Sequence, residues 1–309
     1  MTDPLEQIMR LLQPKAVFSK GISGAGDWAV RYPAFKHPGF CAMTLGSCLL
    51  KVEGEAPVLL KEGDFVLLPA TPAFTMSSPD ASGRIVDAGS MTSPGEEVRH
   101  GRRDGPAEMR QFGGYFEFVS PDAALLVSML PRVIHIREVP RLSRLVRLVG
   151  DEAGRDDVGR DLVLERLVEI LLIEALRAAP GATAGPGLLR GLADDRVVTA
   201  LRLMHGDIER NWTASELARN VGMSRSAFFD RFLRTVGMTP MDYLLTWRMA
   251  VAKSLLRAGR LSLAQIAGQI GYGSASTFST AFRRHVGEPP GQFMRRAMQA
   301  GPVEERGGA

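Results

Sequence analysis

The chain has 309 residues, of which 45% are hydrophobic and 23% are charged, and its formal net charge is +4. This composition fits a globular protein of about two domains and excludes collagen-like, disordered and disulfide-framework classes. The two cysteines are too few for a four-thiolate zinc site. The amino end lacks the features of a signal peptide, and residues 167–176, the most apolar window, contain two glutamates. We therefore expect a cytoplasmic protein without membrane segments.

The charge is distributed unevenly along the chain. From Asp195 to the carboxyl end there are 16 Lys and Arg against 9 Asp and Glu, whereas the rest of the chain has 22 against 25. A basic carboxyl third behind a slightly acidic remainder is typical of a chain in which one domain approaches a polyanion.

Residues 28–118 have the pattern of short β-strands. The segments WAVRY, FCAMTL, CLLKV, PVLL and DFVLLP are separated by Gly and Pro, which predicts an antiparallel barrel or sandwich. FCAMTL and CLLKV flank Gly46-Ser47, so we expect a hairpin with Cys41 opposite Val52. The thiols of Cys41 and Cys48 would then be about 13 Å apart, which is beyond the reach of a disulfide.

The periodicity becomes helical after Pro121. PDAALLVSML (121–130) begins with residues that favour a helix start, and RLSRLVRLV (141–149) places Leu142, Leu145, Val146 and Val149 on one face. A third helix, over 160–179, is apolar around most of its circumference, so we expect it to be central or to pair subunits. The Gly, Ala and Pro residues of 179–187 predict a linker.

One pattern occurs twice in the carboxyl third. Leu217, Ala218, Val221 and Gly222 are matched 49 residues later by Ile266, Ala267, Ile270 and Gly271, and Ser224, Phe228, Phe232, Gly237 and Pro240 recur 50 residues later. Gly ends a helix in the left-handed conformation and Ser caps the next helix. The Phe pair, four residues apart, packs the second helix on the first. The pattern therefore predicts two helix-turn-helix motifs, over 215–236 and 263–286.

A helix from about Pro240 to Arg257 joins the two motifs. At 1.5 Å per residue it would be roughly 27 Å long, which suits two recognition helices in successive major grooves about 34 Å apart. Two copies of the motif in a basic domain favour DNA recognition over plain helix packing.

Residues 195–296 resemble the DNA-binding domain of the AraC/XylS family of bacterial transcription regulators. The resemblance rests on ELA with Gly222, RFLRTVGMTP, WRMAVAKSLL and IAGQIGYGSASTFSTAFRRHVGEPPGQF. The amino half resembles the cupin-type sensor domain of one branch of that family, through WAVRYPA, the run from Gly39 to Phe74, FGGYFEF and SPDAALLVSMLPRVIHI.

The resemblance implies an α+β protein with an amino-terminal antiparallel β cupin-like barrel and an all-α carboxyl-terminal domain with two helix-turn-helix motifs. We expect a sensor domain over 1–120, a helical connector with a role in dimerisation over 121–189, a DNA-binding domain over 190–300 and a flexible tail over 301–309. The expected partners are double-stranded DNA, RNA polymerase, an unidentified small-molecule effector and a second copy of the chain.

By this resemblance, the residues that contact DNA lie on the two recognition helices. The family often has Arg where this chain has Asp230 and Thr280, and an acidic residue where it has Gly273. Loss of Arg removes the commonest bidentate contact to guanine, worth about 1–3 kcal/mol of discrimination. We expect the DNA contacts to be Arg225, Ser226, Phe229, Asp230, Arg234, Ala275, Ser276, Thr277, Ser279, Thr280, Arg283 and Arg284.

The sensor domain carries fewer clear signals. A metal-binding cupin requires a His-x-His pair, a Glu and a later His, but the barrel region has His37 and His100, and Phe74 lies near the position of the later His. We therefore expect no metal, no cofactor and no enzymatic activity. The candidate effector pocket consists of aromatic residues that could equally form plain core: Trp28, Tyr32, Phe40, Phe65 and Phe74.

Two alternatives to a small-molecule-responsive regulator stay open at this point. The first is a redox-responsive regulator that uses Cys41 and Cys48, through an intermolecular or sulfenic step. The second is a cupin enzyme whose helical domain mediates assembly. An RNA-binding module is less favoured, because no sheet with exposed aromatic residues near basic residues is evident.

Overall fold

The structure is a computed structural model that describes residues 3–12, 14–35, 37–88, 97–118, 127, 130–179 and 187–299. The chain divides into two compact units, one of residues 13–190 and one that combines residues 1–12 with residues 191–309. The first is called the β unit here and the second the helical unit.

The β unit contains two sheets. The larger sheet has the strand order β11-β6-β3-β10-β1-β9 and the smaller sheet β5-β4-β7-β2-β8. A single apolar cluster takes side chains from both sheets, including Tyr32, Met43 and Met76, so it forms the interior of the barrel predicted from the sequence. The strands are β1 (Pro14–Ala25), β2 (Ala29–Tyr32), β3 (Gly39–Leu45), β4 (Ser47–Val52), β5 (Val58–Lys61), β6 (Phe65–Leu68), β7 (Phe74–Ser77), β8 (Val86–Asp87), β9 (Val98–Gly101), β10 (Met109–Phe118) and β11 (Ile134–Ile136).

The predicted pairing of β3 with β4 is wrong. β3 pairs with β6 and β10 in the larger sheet, whereas β4 pairs with β5 and β7 in the smaller sheet. Cys41 therefore lies beside Val66 and Gly113 instead of opposite Val52. Gly46 has a φ of 67°, a left-handed conformation, and an added Cβ would collide with the carbonyl of Glu108. The turn at Gly46 thus carries the chain from one sheet to the other instead of closing a hairpin.

Two helices of the connector cover the larger sheet. α2 (Pro140–Ala153) and α3 (Arg160–Ala178) contact each other, and they contact strands β1, β3, β6 and β11. α2 buries Leu142, Val146 and Val149, three of the four apolar residues predicted to share a face. Most of the predicted helix over 121–130 and most of the predicted linker over 179–187 lie outside the described residues.

The helical unit contains the two predicted helix-turn-helix motifs. α6 (Ala214–Asn220) and α7 (Arg225–Val236) form the first motif, and α9 (Leu263–Gln269) and α10 (Ala275–Val286) form the second. The predicted joining helix is α8 (Pro240–Ala258), of 19 residues. The other helices among the described residues are α1 (Pro4–Leu12), α4 (Leu188–Ala193), α5 (Asp195–Gly206) and α11 (Pro290–Gln299).

The amino-terminal helix α1 belongs to the helical unit, although the sequence placed residues 1–120 in one sensor domain. α1 contacts α5 and α8. Its apolar residues Ile8 and Leu12 are buried. The burial of these side chains against helices that lie far away in sequence explains why a division by sequence order assigns this segment to the other unit.

Candidate functional site

Each recognition helix begins at a turn built from the same residue types. In the first motif the Thr213 hydroxyl and the Glu216 carboxylate form a capping box at the start of α6. Gly222 follows α6 with a φ of 67°, and the Ser224 hydroxyl accepts the backbone N–H of Ala227 at 3.3 Å. The left-handed glycine and the serine cap together turn the chain from α6 into α7.

The second motif repeats these contacts. Ser262 and Gln265 form the capping box of α9, Gly271 has a φ of 81°, and the Ser274 hydroxyl accepts the N–H of Thr277 at 3.2 Å. Phe278 and Phe282 are fully buried with their ring centroids 5.5 Å apart. The repeat in the sequence is therefore a repeat in the structure.

The residues predicted to contact DNA lie mostly on the exposed faces of α7 and α10. On α7, Phe228 and Phe232 point inward, and Phe229 has 38% of its surface exposed. The hydroxyls of Ser279 and Thr280 on α10 donate to backbone carbonyls one turn earlier, at 2.7 and 3.1 Å. Ala275 and Ser279 are half-buried; the exposed members of the set are Arg225, Ser226, Phe229, Asp230, Arg234, Ser276, Thr277, Thr280, Arg283 and Arg284.

Two arginines fasten the first motif to the helix before it. Arg231 of α7 donates through Nε to both oxygens of Asp194, at 3.1 and 2.8 Å, and Asp194 also caps α5. Arg196 of α5 donates to the carbonyl of Val221 at 2.6 Å, at the end of α6. These bonds hold the first motif on α5. The Arg231 guanidinium is therefore engaged in a contact within the helical unit.

A third arginine links the two motifs. Arg248, on the joining helix α8, donates to the carbonyls of Ile208 and Arg210 at 3.0 and 2.8 Å. Its guanidinium also lies 5.9 Å from the centre of the Tyr272 ring, in the turn of the second motif. A Cβ on the neighbouring Gly271 would collide with this guanidinium. Arg248 therefore joins the segment before the first motif to the turn of the second.

A buried histidine lies under the first motif. The His205 ring stacks on Trp247 with the centroids 3.8 Å apart, and His205 Nε2 is 2.7 Å from the Tyr243 hydroxyl. Burial lowers the pKa of His205 to about 3. The imidazole is thus neutral in the folded unit and serves as part of the core.

Three of the five aromatic residues predicted to line a pocket meet in the barrel interior. Tyr32 stacks on Phe74 at a centroid distance of 4.8 Å, and Trp28 stacks on His100 at 5.3 Å. The Tyr32 hydroxyl is 2.9 Å from His100 Nε2. The contribution of His100 was missed from the sequence, because nothing in the local pattern shows that β9 lies close to β2.

The other two aromatic residues of that set lie elsewhere. Phe40 contacts Phe65 and Phe116, with centroid distances of 6.2 and 5.1 Å. Along β3 and β6 they alternate with Cys41 and Val66, which pack in the barrel interior. Phe40 and Phe65 therefore lie on the opposite face of the larger sheet, so the structure does not bring the five residues together.

The thiols of Cys41 and Cys48 are close to one another but poorly suited to oxidation. Both contact the amide oxygen of Gln111, at 2.9 and 4.0 Å. Burial raises the pKa of Cys48 to about 12. Burial also raises the pKa of Cys41 well above its ordinary value, with smaller contributions from Cys48 and Asp64. Because the thiolate is the form that reacts with oxidants, the redox alternative is not favoured.

No helix in the described part of the chain is long and apolar enough to span a membrane. Within the same ranges, no three His, Cys, Asp or Glu side chains come together as metal ligands.

The fold and the paired motifs define the class of protein. Residues 3–179 match the cupin family, and residues 217–296 match the helix-turn-helix domain family. The chain is therefore a DNA-binding protein of the helix-turn-helix class with a cupin domain.

The full-length relatives give the particular family. The chain is 36% identical over 304 residues to a putative AraC-like transcription regulator of Streptomyces lividans, covering 95% of this chain and 98% of that protein. It is also 36% identical over 307 residues to a putative AraC-like regulator of Streptomyces antibioticus, covering 96% and 99%. The crystal structure of ToxT from Vibrio cholerae matches with 13% identity and a TM-score of 0.37, over 92% of this chain and 96% of that one. The protein belongs to the family of AraC-like transcription regulators.

Proposed function

We propose that a small molecule bound in the cupin-like β unit changes how the helical unit binds an operator, and that the protein thereby controls transcription in the cytoplasm without catalysing a reaction. The observation that carries this proposal is the pair of matching helix-turn-helix motifs on one joining helix, in the same chain as a cupin fold. In this proposal the bound regulator contacts RNA polymerase.

The proposed DNA contacts fall into two groups. Arg225, Arg234, Arg283 and Arg284 reach phosphates, whereas the other predicted residues of α7 and α10 approach base edges. Support comes from the exposure of both arginine pairs and from their place in the basic part of the chain. Each phosphate contact contributes an increment to the salt dependence of binding, while a base contact changes the preferred sequence.

The experiment that tests the DNA contacts is selection of duplexes from a random pool by the full-length protein, followed by binding measurements at several salt concentrations. We expect Arg283→Ala and Arg284→Ala to weaken binding to every selected duplex and each to reduce the salt slope by about 1. We expect Ser226→Ala and Phe229→Ala to change the selected sequence. A wild-type protein that selects no sequence and shows no salt-dependent binding would contradict the proposal.

We also propose that α3 pairs two copies of the chain. Its outer face carries apolar residues that are exposed in the single chain, with relative exposures of 58% for Leu162, 44% for Val163 and 41% for Ile170. Exposed apolar residues grouped on one helix face are typical of an association surface.

The molar mass of the protein, measured by light scattering as it elutes from a size-exclusion column, tests this pairing. Ile170→Asp should convert a dimer to a monomer, because pairing would bury the new carboxylate without a partner. Ile85→Asp is the matched control, since Ile85 is also an exposed isoleucine but lies outside α3. A wild-type protein that is monomeric at every concentration, or an equal effect of both variants, argues against pairing through α3.

A further inference from the structure

The predicted base contacts of α10 include none of the side chains that form bidentate bonds to bases. Guanine is commonly read by Arg or Lys, adenine by Asn or Gln, and the amine of cytosine by Asp or Glu. The predicted contacts in the first six residues of α10 are instead small and uncharged, so the second motif must read its half-site by another chemistry. They are Ala275, Ser276, Thr277, Ser279 and Thr280.

The hydroxyl groups of α10 already have partners inside the helix. The Thr280 hydroxyl donates to the carbonyl of Ser276 at 3.1 Å. The hydroxyl oxygens of Ser276 and Thr277 lie 3.0 and 2.9 Å from that of Ser274, the residue that caps the helix. A hydroxyl has a single proton to donate, so the Thr280 hydroxyl cannot also donate to a base without leaving the Ser276 carbonyl.

The methyl groups of the two threonines are the parts left to contact DNA. Thr277 and Thr280 are exposed and lie three residues apart, so they share one face of α10. Both hydroxyls are directed toward the amino end of the helix, at Ser274 and at the Ser276 carbonyl. The C5-methyl group of thymine is an apolar group in the major groove, and Ala, Phe and the Thr methyl group are its typical partners.

The first motif carries the same chemistry on a larger side chain. Phe228 and Phe232 fill the interior of the motif, whereas Phe229 of α7 is 38% exposed. Leu233, four residues later on the same face, is also exposed. Exposed apolar side chains grouped on one helix face are typical of a surface that contacts another molecule. The Phe229 ring therefore offers the groove an apolar contact.

We propose that both recognition helices read the C5-methyl groups of thymines in the operator, through the Phe229 ring in the first motif and the methyl groups of Thr277 and Thr280 in the second. These methyl contacts rest on the proposed function, because they specify how the predicted contacts of α7 and α10 distinguish bases. The operator should accordingly have thymines at fixed positions in both half-sites.

Deoxyuridine scanning of a selected duplex tests the methyl contacts. Each thymine of a duplex that the full-length protein binds is replaced in turn by deoxyuridine, which lacks the C5-methyl group and keeps the hydrogen-bonding groups of the base. We expect replacement of at least one thymine in each half-site to raise the Kd about fourfold, the ratio that corresponds to one methyl-sized group left in water. Replacement outside the half-sites should leave the Kd unchanged.

Two substitutions at Thr280 separate its methyl group from its hydroxyl. Thr280→Ser keeps the hydroxyl and removes the methyl group, so it should bind the thymine duplex about fourfold more weakly and lose the response to deoxyuridine at one position. Thr280→Val keeps a methyl group in that place and removes the hydroxyl, so it should retain the response. Phe229→Ala should lose the response in the other half-site.

Thr199→Ser is the matched control for Thr280→Ser. The Thr199 hydroxyl donates to the carbonyl of Asp195, one turn earlier on α5, at 2.7 Å. Thr199 thus makes the same bond as Thr280 but lies outside the recognition helices. Thr199→Ser should therefore respond to deoxyuridine at every position as the wild type does.

Failure of the methyl contacts can be told apart from failure of the proposed function. A full-length protein that selects no duplex contradicts both. A protein that selects a duplex and binds it equally well with thymine or deoxyuridine at every position contradicts the methyl contacts alone. A response to deoxyuridine that persists in both Thr280→Ser and Phe229→Ala would assign the effect to DNA shape, and it would likewise overturn the methyl contacts.

Discussion

Asp230 occupies a position at which, by the resemblance to the AraC/XylS family, an arginine is often expected. It lies exposed on α7, one residue after Phe229, and no ion pair holds its carboxylate among the residues that the structure describes. A carboxylate accepts a hydrogen bond from the amine of cytosine, but it also repels phosphate. We therefore propose that the Asp230 side chain both selects bases in the operator and weakens the overall binding.

Replacement of Asp230 tests its place in the interface. Asp230→Arg should strengthen binding to any duplex, steepen the salt dependence and shift the base preference toward guanine, because a repulsive charge becomes a phosphate and guanine ligand. Fluorescence anisotropy on the selected duplexes measures all three effects. Asp80→Arg makes the same charge change on the exposed surface of the β unit and should leave base preference unchanged. An unchanged base preference in Asp230→Arg would mean that residue 230 does not face the bases, and that the predicted orientation of α7 in the groove is wrong.

His205 predicts a pH dependence of stability at the residue scale. Its pKa is about 3 in the folded protein and about 6.5 in an unfolded chain. Between these values the unfolded state binds more protons, so the free energy of unfolding falls as the pH falls below about 6.5, by up to about 1.4 kcal/mol per pH unit. Urea unfolding of the helical unit between pH 7 and pH 4.5 measures this slope. His205→Phe, which keeps the stack on Trp247, should flatten it, whereas an equal slope in both proteins would assign the effect to other groups.

At the scale of elements, the joining helix α8 holds the two recognition helices at a fixed separation. The glycine and serine of each turn orient a recognition helix on the first helix of its own motif. Neither motif by itself determines the distance between the two recognition helices. Arg248 bonds the segment after α5 and packs beside the turn of the second motif. We therefore propose that Arg248 is a positioning residue for DNA binding, since it is not itself among the predicted DNA contacts.

Loss of Arg248 should relax the spacing of the two motifs. Arg248→Ala leaves the carbonyls of Ile208 and Arg210 without this donor, so the unfolding free energy should fall by about 1–3 kcal/mol. Insertion of one base pair between the two half-sites should weaken wild-type binding strongly and the variant's binding less. Arg260→Ala removes the same charge from an exposed position and should keep the wild-type penalty for insertion. If the insertion weakened binding of Arg248→Ala as much as binding of the wild type, Arg248 would contribute to stability alone and not to the spacing of the motifs.

At the scale of the whole molecule, residues 1–12 belong to the same unit as residues 191–309. Ile8 and Leu12 of α1 are buried in the helical unit, whereas β1, which begins at Pro14, belongs to the β unit. The helical unit therefore draws residues from both ends of the chain, and a DNA-binding fragment cut at residue 190 lacks part of its core.

A fragment of residues 190–300 should be less stable than the same unit in the full-length chain. Removal of α1 exposes the apolar surface that Ile8 and Leu12 cover, and Leu12→Ala in the full-length protein should cost about 2–5 kcal/mol of unfolding free energy. A synthetic peptide of residues 1–13, added to the fragment, should raise its melting temperature. The same peptide with Ile8 and Leu12 replaced by Asp should not. Equal melting temperatures with both peptides would show that α1 adds no stability.

The sequence by itself determined the fold class, the two helix-turn-helix motifs and the family. These features depend on local patterns, such as the glycine that ends α6 and the serine that caps α7, and local patterns survive in the order of residues. The β-strands of the amino half were likewise evident from short apolar runs between Gly and Pro.

Only the tertiary structure decided which residues meet across long sequence separations. An alternation of period two indicates a strand but does not indicate which strand it pairs with. The pairing of β3 with β6 and β10, and the contacts of Cys41 and Cys48 with Gln111, could therefore not be predicted from the sequence. For the same reason the sequence did not show that α1 packs in the helical unit. It also did not show that Tyr32 lies in the barrel interior while Phe40 lies on the other face of the larger sheet. Apolar burial is non-directional, and the fold of the whole chain determines which apolar surfaces cover one another.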